Sequence, residues 1–160
     1  MNMKVMINDV LRNSKLTEEL ENSDIEILAN LCTVREYKAG ESILQPGQAA
    51  LNDAILALVS GDVEATAVTG GERITLHLVK SGEMAGIIGF VGGNGMRINA
   101  TVFANTESKL IVLERFRLES LLNTHPSIVF SLMRGIARYV HCIMRRFSTQ
   151  SSEMGTLVFD

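Results

Sequence analysis

The spacing of apolar and polar positions changes twice along the chain. Up to residue 32 it is helical. Val5, Met6, Ile7, Val10, Leu11 and Leu16 lie among polar residues, which predicts a short helix. Thr17, with Glu18, Glu19 and Glu21 behind it, reads as a helix start with acids at the positive end. A second start falls at Asn22 or Ser23, followed by Asp24 and Glu26. Ile25, Leu28, Ala29 and Cys32 then repeat at i, i+3, i+4 and i+7, one buried helical face.

From Thr33 the period is two. Residues 33–38 predict a strand ending at the Ala39-Gly40 turn, and residues 41–44 a short strand stopped by Pro46-Gly47. The apolar run 53–59 is bounded by Ser60-Gly61-Asp62. Residues 63–68 and 73–79 alternate on either side of Gly70-Gly71, a hairpin signal. Residues 100–104 and 108–113 add two more strands. Strands at this spacing with glycine turns predict a mainly β fold, a β-roll (jelly roll) of about eight strands over residues 33–113.

The last third returns to the helical period. Residues 115–123 predict a short helix, and Thr124-His125-Pro126 starts a long one running past Arg146. The C-terminal helices together take residues 115–154. Val129, Met133, Ile136, Val140, Ile143 and Phe147 are spaced 4, 3, 4, 3, 4, a heptad seam widened by Ile128, Leu132 and Tyr139. The seam's length favours a dimer helix over one packed wholly in its own core. Arg134, Arg138, His141 and Arg145 form a basic stripe, suited to an anion or an acidic partner, or to a solvated face.

Between the strand patterns lies a glycine-rich stretch. Six of the thirteen glycines fall between residues 82 and 95. Glycine permits positive φ and close backbone approach, so the stretch is either an anion cradle or a tight crossing between strands.

Composition narrows the function classes. The 160 residues are one domain's length, 46% hydrophobic and 21% charged, which excludes disorder. A net charge of −3 argues against non-specific nucleic-acid binding. Cys32 and Cys142 are far apart, with no C-x-x-C and no zinc spacing, as expected of reduced thiols in an intracellular protein. The N-terminus has no secretory apolar region and no run approaches membrane-spanning length, so the expected location is cytoplasmic. His77, His125 and His141 are isolated from one another, which leaves no local motif for a metal enzyme or a catalytic triad.

Four local signatures occur in order: residues 37–47 (YKAGESILQPG), 55–63 (ILALVSGDV), 81–86 (SGEMAG) and 99–102 (NATV). Together with the helix–roll–helix order, they resemble the cyclic-nucleotide-binding domain family over about residues 15–157. Within it they resemble the sensor domain of the bacterial cAMP-receptor and fumarate–nitrate-reduction regulators. The resemblance implies short N-terminal helices, an eight-stranded roll and a long dimerisation helix. It also implies a phosphate-binding cassette, in which a glutamate accepts from the ribose hydroxyl and an arginine pairs the cyclic phosphate. Here the cassette glycine is Gly86, the glutamate position holds Ile87 and the arginine position holds Ile98. Arg97 lies one residue early, and Glu83 occupies the acidic turn position after Gly82.

The pocket implied by the resemblance is therefore apolar, formed by Gly86, Ile87, Ile88, Ile98, Asn99 and Ala100, with Arg97 at its edge. Gln150 and Ser151 fall on the helix positions that touch ligand in the family. No cofactor is expected. Cyclic nucleotide is a doubtful ligand, and the pocket either holds something less charged or is filled by its own side chains. An iron–sulfur sensor would need more cysteines than Cys32, and a haem sensor a partner for His77. The chain stops before the family's helix-turn-helix, so DNA binding by this chain alone is not expected. The reading is a non-enzymatic sensor module, a homodimer with an unnamed small-molecule or protein partner. The alternatives are an intact cAMP or cGMP site using Arg97, or the sensor half of a transcription regulator separated from its DNA-binding domain.

Overall fold

Apolar residues on alternate faces of consecutive strands build two sheets with a core on either side of the first. In the computed structural model, which describes residues 2–48, 51–69, 71–92 and 100–157, two helices come first: α1 (Met3–Arg12) and α2 (Asn22–Ala29). The roll follows as β1 (Thr33–Tyr37), β2 (Ser42–Leu44), β3 (Ala54–Ser60), β4 (Val63–Thr69), β5 (Glu72–Leu78) and β6 (Met84–Ala85). A short α3 (Ile87–Val91) precedes β7 (Ala100–Ala104) and β8 (Ser108–Glu114), and α4 (Arg115–Glu119) and α5 (Pro126–Leu157) end the chain. The mainly β expectation with flanking helices holds, and β6 supplies the eighth strand from inside the glycine-rich stretch.

Both sheets are antiparallel and four-stranded, one ordered β1-β8-β3-β6 and the other β2-β7-β4-β5. Central strands β3 and β8 are buried on both faces, so they read as apolar runs rather than alternations. Leu56, Leu58, Leu110 and Val112 face the second sheet. Ile55, Ala57, Ile111 and Leu113 face a second core, closed by Val10, Leu28, Ile128 and Leu132 from the helices.

The two helix-start signals before the roll have different outcomes. Asn22 opens α2 as expected, with Asp24 in its first turn. Thr17 opens nothing and instead closes a 3-10 turn, Lys15–Thr17. Its hydroxyl donates back to the carbonyls of Leu11 and Ser14, so it caps no later N–H. That turn seats α5. A Cβ on Gly135 would lie 2.3 Å from the Leu16 carbonyl oxygen, so only glycine allows the helix to approach so closely.

Candidate functional site

The inner face of the second sheet is a ladder of three apolar rungs. Val63 is paired with Leu78 and Ala104, Ala65 with Leu76 and Val102, and Ala67 with Ile74 and Ala100. The first rung is fully buried. In the second, Val102 is buried while Ala65 and Leu76 are partly covered. All three members of the last rung are half-exposed. The inner face is therefore fully covered at one end of the roll and partly exposed at the other, the open end, where Ala67, Ile74 and Ala100 stand. Such a space suits an apolar or weakly polar group, since a buried charge or polar group without a partner is costly.

Gly86 follows β6. It has φ +84°, and a Cβ there would lie 2.3 Å from the Ala54 carbonyl oxygen. The glycine thus lets the chain turn from β6 into α3 while crossing tightly over β3. Ile87 follows, 7% exposed, in the helix-side core with Met84 and Phe90. No carboxylate stands where the resemblance places one. Ile88 is 62% exposed. Ala100 opens β7 opposite Ala67. Arg97, Ile98 and Asn99 lie outside the described residues, as do the side chains of Phe147, Gln150 and Ser151. Glu83 is a turn residue, as expected: its Oε2 accepts the Val79 and Lys80 N–H groups at 2.8 and 2.9 Å.

Arg115 holds the cassette helix and was not singled out by the sequence. Its backbone N–H donates to the Asp53 carbonyl at 2.9 Å, and its Nη1 donates to the Phe90 carbonyl at 3.3 Å, near the end of α3. Its guanidinium also lies 3.8 Å from Asp53 and 3.6 Å from Glu119. An arginine at a strand–helix junction carries no local motif, so only the tertiary contact reveals it.

His77 points away from the roll interior, with Nε2 3.8 Å from Glu64 Oε2. Cys32 is buried and its thiol donates to the Leu28 carbonyl at 3.4 Å, and burial pushes its pKa up to about 12. Cys142 is exposed. Among the described residues no cluster of His, Cys, Asp and Glu could hold a metal, and no helix is long and apolar enough to cross a membrane.

The structure divides the predicted seam on α5. Ile136 is 3% exposed and packs in the chain's own core with Ile128 and Leu132, so it is not available to a partner. Val129 and Ile143 are half-buried. The uncovered apolar stripe is Phe130, Met133, Ala137, Val140 and Met144, spaced 3, 4, 3, 4. The basic stripe meets an acid of the same chain: Glu19 Oε1 accepts from Arg138 at 2.5 Å and lies 3.4 Å from Arg134.

A double-sheet roll with a partly exposed apolar end, a glycine turn into a short helix and a long terminal helix defines a class of β-roll modules. The family model of the cyclic nucleotide-binding domain matches residues 34–125, more than half of the chain. The chain belongs to that family of regulatory domains. No curated protein matches it. Among solved structures, a cyclic nucleotide-binding domain from Methylobacillus flagellatus is 18% identical with a TM-score of 0.73, covering 89% of this chain and 79% of that one. The N-terminal domain of a transcriptional regulator from Streptomyces coelicolor is 24% identical with a TM-score of 0.68, covering 84% and 94%. The sensor domain of the transcriptional regulator DNR from Pseudomonas aeruginosa is 17% identical with a TM-score of 0.64, covering 91% and 95%. At these identities the likeness is one of fold.

Proposed function

We propose that this chain is a non-enzymatic sensor module whose cassette does not hold a cyclic nucleotide tightly, and that it signals as a homodimer through α5. The observation that carries the reading is Ile87, a buried core side chain at the position of the ribose-binding glutamate. A ribose hydroxyl left without an acceptor costs about 1–3 kcal/mol. Ile98 at the arginine position removes a charge-assisted pair from the phosphate, and an unpaired buried charge costs more still. The apolar open end of the roll instead favours a less charged ligand, or closure by its own side chains.

The sensor role draws on the likeness to the Streptomyces and Pseudomonas regulator domains. The dimer role draws on the uncovered stripe of α5.

Thermal-shift and calorimetric titrations with cAMP and cGMP test the cassette reading. The expected result is no shift at micromolar nucleotide. A clear cAMP shift would overturn it, and loss of that shift in Arg97→Ala would assign the phosphate to Arg97.

A further inference from the structure

Outside the roll, a groove of about 430 Å3 runs between the end of α1, the edge of β5, the turn into β6 and the side of α5. Four consecutive residues of β5, Thr75 to Leu78, border it. Strand side chains alternate between faces, so four in a row border one groove only where it follows the strand's edge. β5 is the terminal strand of its sheet, which leaves that edge unpaired by another strand. Across the groove stand Tyr139 and Ile143, and the Tyr139 hydroxyl donates to the Met84 carbonyl at 3.4 Å, tying α5 to the floor.

The charge along the groove is uneven. Lys15 and Lys80 both line it, and among the described residues neither ammonium has an ion-pair or hydrogen-bond partner. The acid in the groove, Glu83, has its Oε2 engaged by two backbone N–H groups. His77 is turned toward Glu64. The half-buried Tyr139 and Ile143 supply apolar surface beside the two free cations. Sites for small ligands run roughly 300–1,000 Å3, and the volume of this groove falls in that range.

We propose that this groove binds an anionic amphipath, a small molecule with an apolar body and a terminal carboxylate or phosphate. The apolar body lies along Tyr139 and Ile143, and Lys15 and Lys80 hold the anion. The site is separate from the open end of the roll, and its occupant touches both the roll and α5.

The chain carries its own reporter. Cys142 borders the groove and is exposed, whereas Cys32 is buried and the only other cysteine. Modification of the native protein by DTNB, with the labelled cysteine identified by mass spectrometry, therefore follows access to the groove. The probes are decanoate, decyl phosphate and 1-decanol, each below its aggregation limit. At saturation, decanoate or decyl phosphate should slow Cys142 labelling by about fivefold or more, with decanol needing about tenfold higher concentration. The ranking of the two anions separates a carboxylate ligand from a phosphate one. Lys15→Gln/Lys80→Gln should abolish the anion's advantage without lowering Tm. No protection by either anion, equal protection by decanol, or protection that survives the lysine replacements would each overturn the proposal. The cyclic-nucleotide titrations read the roll separately, so either reading can fail alone.

Discussion

Along α5, the side chains turned to the chain's own core and those turned away are equally apolar, yet only one set is covered. Ile128, Leu132 and Ile136 are buried against the roll and the N-terminal helices. Phe130, Met133, Val140 and Met144 are exposed. With 3.6 residues per turn, the centres of the two stripes lie roughly 120° apart on the helix. The apolar arc is thus wide enough for two contacts, one inside the chain and one outside it. What separates them is the small residue on the inward side: Gly135 lets the helix touch the Leu16 backbone, and the outward stripe has no such neighbour. Burial of one face fixes the helix to the roll, and the other face stays exposed.

The largest expected effect tests the inward face. Leu132→Ala should cost about 2–5 kcal/mol in urea unfolding of the monomer, measured at dissociating dilution, whereas Met133→Ala, one residue away, should stay within about 0.5 kcal/mol. Equal losses at the two positions would erase the distinction between the faces. Gly135→Ala comes next. Alanine is the better helix former by about 1 kcal/mol, but its Cβ would meet backbone rather than a movable side chain. Overpacking of this kind costs about 1–3 kcal/mol, so a net loss of stability is expected. A net gain would show that the helix can lift off the turn at little cost.

The outward face is tested by Met133→Lys/Val140→Lys. Each exposed change should move the folding stability of the monomer by no more than about 0.5 kcal/mol. Light scattering should show the wild type as a dimer and this variant as a monomer. A wild-type monomer, or a variant that remains a dimer, would remove the outward stripe from the signalling role proposed for it.

The same helix shows what could be read from residues alone. Period and length predicted α5 correctly, and the predicted seam, centred on Val129, Met133 and Val140, falls midway between the two observed stripes. Periodicity reports that an arc is apolar, but not which part of it the fold covers. Ile136 belongs to the inward face because it joins a core with Leu16 and other residues far away in sequence. The strands were legible because their alternation and glycine turns are local. β6 and α3 were not, being two and five residues long inside a glycine-rich stretch. Arg115, and the groove drawn from three distant segments, depend on topology and left no mark in the pattern.

The smallest effect lies on the flank of the inward face, where Glu19 meets Arg134 and Arg138. The hydrogen bond from Arg138 holds the Glu19 carboxyl below its ordinary value, with the charges of Arg134 and Arg138 adding to the effect and desolvation opposing it. A carboxyl whose folded pKa is depressed contributes stability above its unfolded pKa, and the contribution is lost as pH falls through the folded value. The clamp should therefore be fully present at neutral pH and fail only on acidification below the ordinary glutamate range. Because the group is exposed, solvent screening keeps its contribution to stability small. Carboxyl-detected NMR titration should give Glu19 a midpoint below that of an unpaired glutamate, and Arg138→Gln should raise it. Salt should weaken the pair in the same direction, since exposed charges are screened. A midpoint at the ordinary value, unmoved by Arg138→Gln, would mean that the inward face holds α5 through apolar packing alone.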